Sequence, residues 1–237
     1  MILYYIRHGL PIYDPNQLLP LGHRQAEAVA KRLATFGIDR IYTSPSNRAR
    51  QTAQPLCELT VQEPVVLDWI DEDLAFRELA VPEDGRMQWC FRHRKYRPLM
   101  CRNDMLALGR QWHTHPAFAG TNFGPAIQRI QQETDGFLES LGYRHDLENN
   151  CYHLLRKNDD RIALFAHEGV GVAVLSCMLD IPYPIFSTHF DMTHTGVSVI
   201  HFQEKDGIVI PNLLSFSNDS HLYREGLPTK HQNQIYY

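Results

Sequence analysis

Short apolar runs and amphipathic stretches of helical period alternate at both ends of the chain, and this strand-then-helix rhythm fails in the middle. Met1 to Ile6 reads as a fully buried strand that stops on Arg7-His8-Gly9. Leu10 to Asn16 is loop by its prolines and turn formers. Leu21 to Phe36 follows as a helix with Ala26, Val29, Ala30 and Leu33 on one face and Gly37 as its stop. Ile38 to Tyr42 is a second strand, after which Ser44 is expected to cap a helix that begins at Pro45 and runs to about Leu59. Val65 to Leu67 reads as a third strand, followed by the acidic cluster Asp68, Asp71, Glu72, Asp73 and Glu78.

The rhythm returns at Arg161 to Ala166, a buried strand ending in His167-Glu168-Gly169, and Val170 to Leu179 is a helix apolar almost all round. Thr195 to Phe202 and Ile208 to Leu214 close the pattern as two strands around Lys205-Asp206-Gly207, and the polar last twenty residues are expected to form a surface tail. Between Pro82 and about Tyr152 one helix is clear, Pro125 to Leu141. We read 1–237 as one domain in which the segment at about 82–152 is an insertion folding over a crevice.

Two strands therefore end on a histidine, and in an open α/β sheet the carboxyl ends of parallel strands border the ligand crevice. Arg7, His8, Arg48 in the first turn after the second strand, and His167 would gather there. Burying a permanent charge costs several kcal/mol or more unless an anion answers it, so Arg7 in a core strand points to an anion site with a nucleophile beside it. Gly9 would let a ligand approach the backbone. Helix entrances with free N–H groups add donors at Arg48 and after Gly169. The group suits a phosphoryl transfer, whose outer oxygens need cationic and N–H donors.

Composition narrows the partners. Hydrophobic residues make up 43% and charged residues 21% of the 237, as in a soluble globular protein, and the net charge of -4 gives no positive field for nucleic acid or membrane. The partner expected is a small phosphorylated substrate, attracted locally. Cys57, Cys90, Cys101, Cys151 and Cys177 are odd in number and form no C-x-x-C pair, which points to reduced thiols and a cytoplasmic location. The longest apolar stretch is too short to span a bilayer, and Arg7 interrupts the apolar run that a secretory leader would need. Oligomeric state is not legible.

Arg7-His8-Gly9, Leu21-Gly22-x-x-Gln25-Ala26, Thr43-Ser44-Pro45-x-x-Arg48-Ala49-x-Gln51-Thr52-Ala53 and the late His167 together resemble the histidine phosphatase superfamily, which includes the phosphoglycerate mutases. The resemblance covers roughly residues 1 to 72 and 161 to 202. It implies a three-layer α/β sandwich around a mixed, largely parallel sheet, here with a helical and loop cap. It implies further that His8 attacks phosphorus, that Arg7, Arg48 and His167 hold the phosphoryl oxygens, and that no cofactor or metal is required. Neighbouring arginines favour neutral imidazole at His8, the form that can attack.

For the proton donor to the leaving group, Glu72 in Ile70-Asp71-Glu72 fits the family's pattern, with Glu78 as a rival. The sequence departs from that pattern twice. Asp14 stands where many members have asparagine, with Asn16 two further on, and Glu168 intervenes where glycine often follows the second histidine. Glu168 is expected to point outward, stabilised at its helix entrance. The reading is a metal-independent phosphatase acting on a small phosphate monoester; the alternatives are a mutase-like phosphoryl-transfer enzyme and an inactive phosphate-binding module. His113 with His115, and His189 with His194, lack the carboxylate or cysteine that would complete a metal set. Arg92 to Arg97 reads first as a solvated basic face, with a grip on an anionic substrate as the second reading, and the aromatic residues near it as core of the insertion.

Overall fold

A computed structural model describes residues 1–229. The first strand, β1 (Ile2–Arg7), alternates between two cores: Tyr4 and Ile6 join one, Leu3 and Tyr5 the other. A strand covered on both faces shows no polar alternation, which is why its sequence is a continuous apolar run. A small hairpin, β2 (Pro11–Ile12) and β3 (Gln17–Leu18), lies within the expected loop and leads into α1 (Pro20–Ala34). Then come β4 (Arg40–Thr43), α2 (Asn47–Thr60) and β5 (Val65–Val66). Helices α1 and α2 pack Val29, Ala30, Leu33, Ala53 and Leu56 onto the face that carries Tyr4 and Ile6.

The middle of the chain holds α3 (Glu72–Leu79), the hairpin β6 (Ala80–Glu83) and β7 (Arg86–Trp89), and two short helices, α4 (Tyr96–Met100) and α5 (Asn103–Leu106). It continues through α6 (Phe123–Ser140), β8 (Tyr143–Asp146) and β9 (Cys151–Leu154). The end comprises β10 (Arg161–Ala166), α7 (Gly169–Met178), α8 (Tyr183–His189), β11 (Val197–Lys205), β12 (Ile208–Asn218) and α9 (Ser220–Arg224).

Among the described residues the main sheet has eight strands in the order β5-β4-β10-β1-β11-β12-β9-β8. Pairing is parallel from β5 to β1 and antiparallel from β1 to β8, so the sheet is mixed and its parallel half is the half that ends in histidines. Helices α6 and α7 cover the second face, burying Ile130, Leu138, Val172 and Leu175 against Leu3, Tyr5, Ile162 and Leu164. The result is the expected three-layer sandwich.

The segment at about 82–152 does not act as one insertion. Its second half, α6, β8 and β9, belongs to the main body, because β9 extends the sheet beyond β12 and α6 packs on α7. The rhythm looked lost there because antiparallel β8 and β9 are only four residues each. The end of β7 and the residues just after it stand over the parallel edge, where Gln88, Trp89, Phe91 and Arg92 line a cavity, and the chain from there to about residue 118 packs beside α7 and α8. Its own core is aromatic: Trp112 stacks on Tyr183 at 5.1 Å and meets Phe118 and Phe123 edgewise or tilted. The expected tail is also partly structured, since Leu222 of α9 and Leu227 are buried against Ala28 and Leu21 of α1; residues 230–237 lie outside the described residues. No helix among the described residues is long and apolar enough to cross a membrane.

Candidate active site

The site sits where β1, β4 and β10 end. His8 follows β1 and is 2% exposed, with Arg7 at 4%. His8 Nδ1 lies 2.7 Å from the Gly9 carbonyl oxygen. A carbonyl can only accept, so Nδ1 carries the hydrogen and Nε2 keeps the lone pair. Burial first, then Arg7 and Arg48, hold the His8 pKa well below the ordinary histidine value, so the ring is neutral. The His167 ring stands edge-on to it at 5.2 Å and the His194 ring at 5.6 Å.

The glycine after His8 serves packing and differs from expectation. A Cβ on Gly9 would lie 2.6 Å from the Gly22 carbonyl oxygen, and one on Gly22 would lie 2.2 Å from the Leu10 carbonyl oxygen. The Gly9 N–H donates to Thr52 Oγ1 and its carbonyl takes the His8 hydrogen, so its polar groups are engaged within the chain. The other motif residues act in the same way. Leu10 N–H donates to Gln25 Oε1 and Leu18 N–H to Gln51 Oε1, which fixes the loop from residue 9 to 18 against α1 and α2.

Arg48 lies in the first turn of α2, 3% exposed, and donates through Nη1 to Asn16 Oδ1 at 3.1 Å. Asn16 therefore takes the place in doubt from the sequence, while Asp14 is exposed. Arg7 donates through Nη1 to the Met192 carbonyl. Arg7 Nε, Arg48 Nε and His167 Nδ1 are buried with no hydrogen-bond partner in the protein, which leaves three nitrogens for an oxyanion. Thr195, at φ +57° although β-branched, donates its N–H to the carbonyls of both Arg7 and His8 and so pins the end of β1 from the far side.

Ser44 was expected to cap α2, but that helix begins at Asn47 with Ser46 at the cap position. Ser44 Oγ accepts from Ser46 N–H and lies 2.7 Å from His167 Nε2. When the hydroxyl donates its hydrogen to Nε2, His167 carries its own on Nδ1, the nitrogen with no partner in the protein. Burial and the arginines keep this ring neutral too. Sequence pattern could not assign this role, because a serine at a strand-to-helix junction is a good cap in its own right.

Of the two candidate acids, Glu72 is in the site and Glu78 is not. Glu78 forms a two-pronged ion pair with Arg129 of α6. Glu72 Oε1 and Oε2 accept from Gly169 N–H at 3.0 Å and Val170 N–H at 2.8 Å, the free donors at the start of α7. Burial raises its pKa, against the opposing pull of those two N–H groups and of Arg48 and Arg7. A buried carboxyl that retains a proton can deliver it.

Glu168 corrects the expectation most sharply. It points inward, 7% exposed, with Oε2 3.0 Å from Arg7 Nη1 and Oε1 against Arg92 Nη2. An outward acid gains a fraction of a kcal/mol from a helix dipole, roughly 0.3–1, whereas an inward one answers a buried cation that is otherwise uncompensated. The basic run divides accordingly. Arg92 reaches the site, Arg94 is exposed and pairs with Asp84 and Glu83, and Arg97 donates to the carbonyls of Phe91 and Thr188.

Together Arg7, His8, Glu72, Arg92, Glu168 and Gly169 line a cavity of about 160 Å³, roofed by Tyr13, Gln88, Trp89 and Phe91. Gly169 is required there, since a Cβ would lie 2.2 Å from the Trp89 ring. A larger cavity, about 230 Å³, lies at the far end of α7 among Arg110, Trp112, Asp135 and Asp180, and none of the converging anion-binding groups reaches it. Among the described residues no cluster of three His, Cys, Asp or Glu side chains could hold a metal ion, and His113 and His189 take no part in the site.

The chain is similar to known proteins in sequence and in fold. Residues 3–82 match the sequence model of the histidine phosphatase superfamily (branch 1). A Hydrogenobacter thermophilus protein provisionally named phosphoserine phosphatase 2 is 25% identical over 224 residues, covering 90% of this chain and 95% of that protein. Solved structures share the fold at lower identity. A variant of phosphoserine phosphatase from Entamoeba histolytica, in complex with phosphoserine, superposes with a TM-score of 0.59 at 20% identity, covering 93% of this chain and 98% of that one. A mycobacterial glucosyl-3-phosphoglycerate phosphatase bound to VO3 gives 0.57 at 19% identity, covering 91% and 98%.

Proposed function

We propose that this chain, whose residues 3–82 match the sequence model of the histidine phosphatase superfamily, is a phosphoric monoester hydrolase working through phosphohistidine at His8. The observation that carries the reading is the His8 ring itself. Its Nδ1 hydrogen is tied to the Gly9 carbonyl, its Nε2 lone pair is free, and burial, then Arg7 and Arg48, lower its pKa.

His8 Nε2 attacks phosphorus as the ester P–O bond breaks, and the leaving oxygen takes the proton held by Glu72. Arg7, Arg48 and the Nδ1–H of His167 stabilise the equatorial oxygens, a task for fixed cationic and N–H donors. Water then attacks phosphorus, the Glu72 carboxylate accepts its proton, and the P–N bond breaks. Phosphate leaves and both residues regain their starting states. Every charge in this sequence is met by a side chain of the chain itself, so the chemistry needs no metal.

The cavity admits a small substrate, and the side chains of Gln88, Trp89, Phe91 and Arg92 that line it set what enters. The names of the relatives make phosphoserine and 3-phosphoglycerate the first natural esters to try. The test is hydrolysis of p-nitrophenyl phosphate and phosphoserine in excess chelator, with His8→Ala beside the native chain. Activity that survives chelation and disappears in the variant is expected, with an acid-labile phosphoryl label trapped on the native chain alone. Activity lost to the chelator, or retained by His8→Ala, would overturn the assignment.

A further inference from the structure

The mechanism above makes no use of Glu168, yet no acid sits closer to the anion-binding arginine. Its two oxygens join Arg7 to Arg92, and Arg92 also lies 3.6 Å from Asp191 Oδ2. Glu168 Oε1 and Asp191 Oδ2 therefore meet the same nitrogen, Arg92 Nη2, which crowds two carboxyl groups around one guanidinium edge. Like charges crowded in a buried place favour a state in which one of the two groups carries a proton. The pair thus has two arrangements, one sharing a proton and one with both groups ionised.

We propose that the Glu168–Asp191 pair is a proton-coupled positioning device for Arg7, taking up a proton as an anion enters the phosphate site whenever both of its carboxyls are ionised. The inference rests on the pocket being an anion site, as argued above. Arg7 Nη1 is engaged by Met192 and Glu168, so an entering anion uses Nε and the remaining edge of the guanidinium. That brings a second negative group within a few ångströms of Glu168, on the same cation and in a buried cavity where charge is poorly screened. Protonating the pair removes one of the two competing charges while its hydrogen bonds keep Arg7 and Arg92 in place.

The groups facing the pair are Arg7 and His8 at the end of β1, Arg92 after β7, and Glu72 of α3 across the cavity, with Arg48 beyond His8. Burial pushes the Glu168 carboxyl up to about 7; Asp191 adds to the rise, and Arg7 and Arg92 oppose it. The coupling therefore falls near neutrality. Below that range the proton is already present; above it, binding must draw one from solution, and affinity falls as pH rises.

Sulfate is a suitable probe because it stays a dianion from about pH 5 to about pH 9, whereas phosphate titrates itself. Calorimetric titration of the native chain with sulfate, in buffers of different ionisation heat, counts the protons taken up. Uptake approaching about one per sulfate near pH 8 is expected, with the dissociation constant rising up to about tenfold per pH unit above pH 7. Glu168→Gln should abolish both the uptake and the slope, while Glu72→Gln should keep them. Asp191→Asn, at a more exposed position, should move the onset to lower pH and keeps the inference testable if the buried substitution fails to fold. Sulfate binding without proton uptake, or a slope unchanged in Glu168→Gln, overturns this inference alone. Sulfate that fails to bind the native chain overturns it together with the anion-site reading beneath it.

Discussion

Replacing Glu72 by glutamine separates what the residue does for the chemistry from what it does for the fold. In the native chain both carboxylate oxygens accept backbone N–H groups at the start of α7, at 3.0 and 2.8 Å. With the carboxyl holding its proton each is a neutral hydrogen bond, contributing about 1 kcal/mol, and a buried N–H left without an acceptor costs about 1–3 kcal/mol. Glutamine can keep one bond and turns an NH2 group toward the other N–H, so the expected cost is roughly 1–3 kcal/mol of stability. For a chain of this size that lowers the melting temperature by roughly 2–12 °C. The lost proton is a separate effect, worth about 10²–10⁴ in rate for a leaving group that needs protonation. The assay is kcat/KM on phosphoserine, whose alkoxide is a poor leaving group, beside p-nitrophenyl phosphate, whose phenolate leaves unaided, at a temperature where the variant is folded. Phosphoserine turnover should fall by at least about tenfold more than p-nitrophenyl phosphate turnover. Equal losses on the two substrates would refute Glu72 as the acid, and an unchanged melting temperature would refute the account of its hydrogen bonds.

Two further outcomes follow from neighbouring networks. Ser44→Ala removes the partner of His167 Nε2 and with it the preference for the Nδ1–H form; kcat/KM should fall about tenfold or more, with Ser44→Thr restoring part of it, and an unchanged value would remove Ser44 from the site. His145 is held at both ring nitrogens, by Asp135 at 2.7 Å and Asp180 at 3.1 Å, and those carboxylates raise it to about 9 in spite of its burial. A raised pKa contributes stability that is fully present below the unfolded value of about 6.5 and lost as pH rises through about 9. Urea unfolding should therefore lose roughly 1–3 kcal/mol between those limits, and His145→Gln should lack that loss; an identical pH profile in the variant would contradict the imidazolium assignment.

The comparison of pattern with structure is instructive at particular residues. The apolar run of β1 and the abrupt Arg7-His8 that ends it located the site, because burial on both faces leaves no other reading for the run and a buried arginine demands an anion. Periodicity likewise placed α1, β10 and α7 to within a few residues. Short antiparallel strands defeated it: β8 and β9 have four residues each, too few for a period to show, and the pairing of β9 with β12 is a long-range event.

The amino-acid sequence by itself determined the fold class, the strand ends that carry His8 and His167, and the cations Arg7 and Arg48, since these follow from local burial and from residue chemistry. The tertiary structure alone placed Glu72 in the cavity and Glu78 outside it, because α7's free N–H groups hold the one and Arg129 the other. It likewise turned Glu168 inward, gave Ser44 to His167 instead of to a helix end, and assigned Gly9 to packing against Gly22. Each of those outcomes rests on groups far apart in the chain, and hydrogen bonds and ion pairs act over a few ångströms that only folding can create.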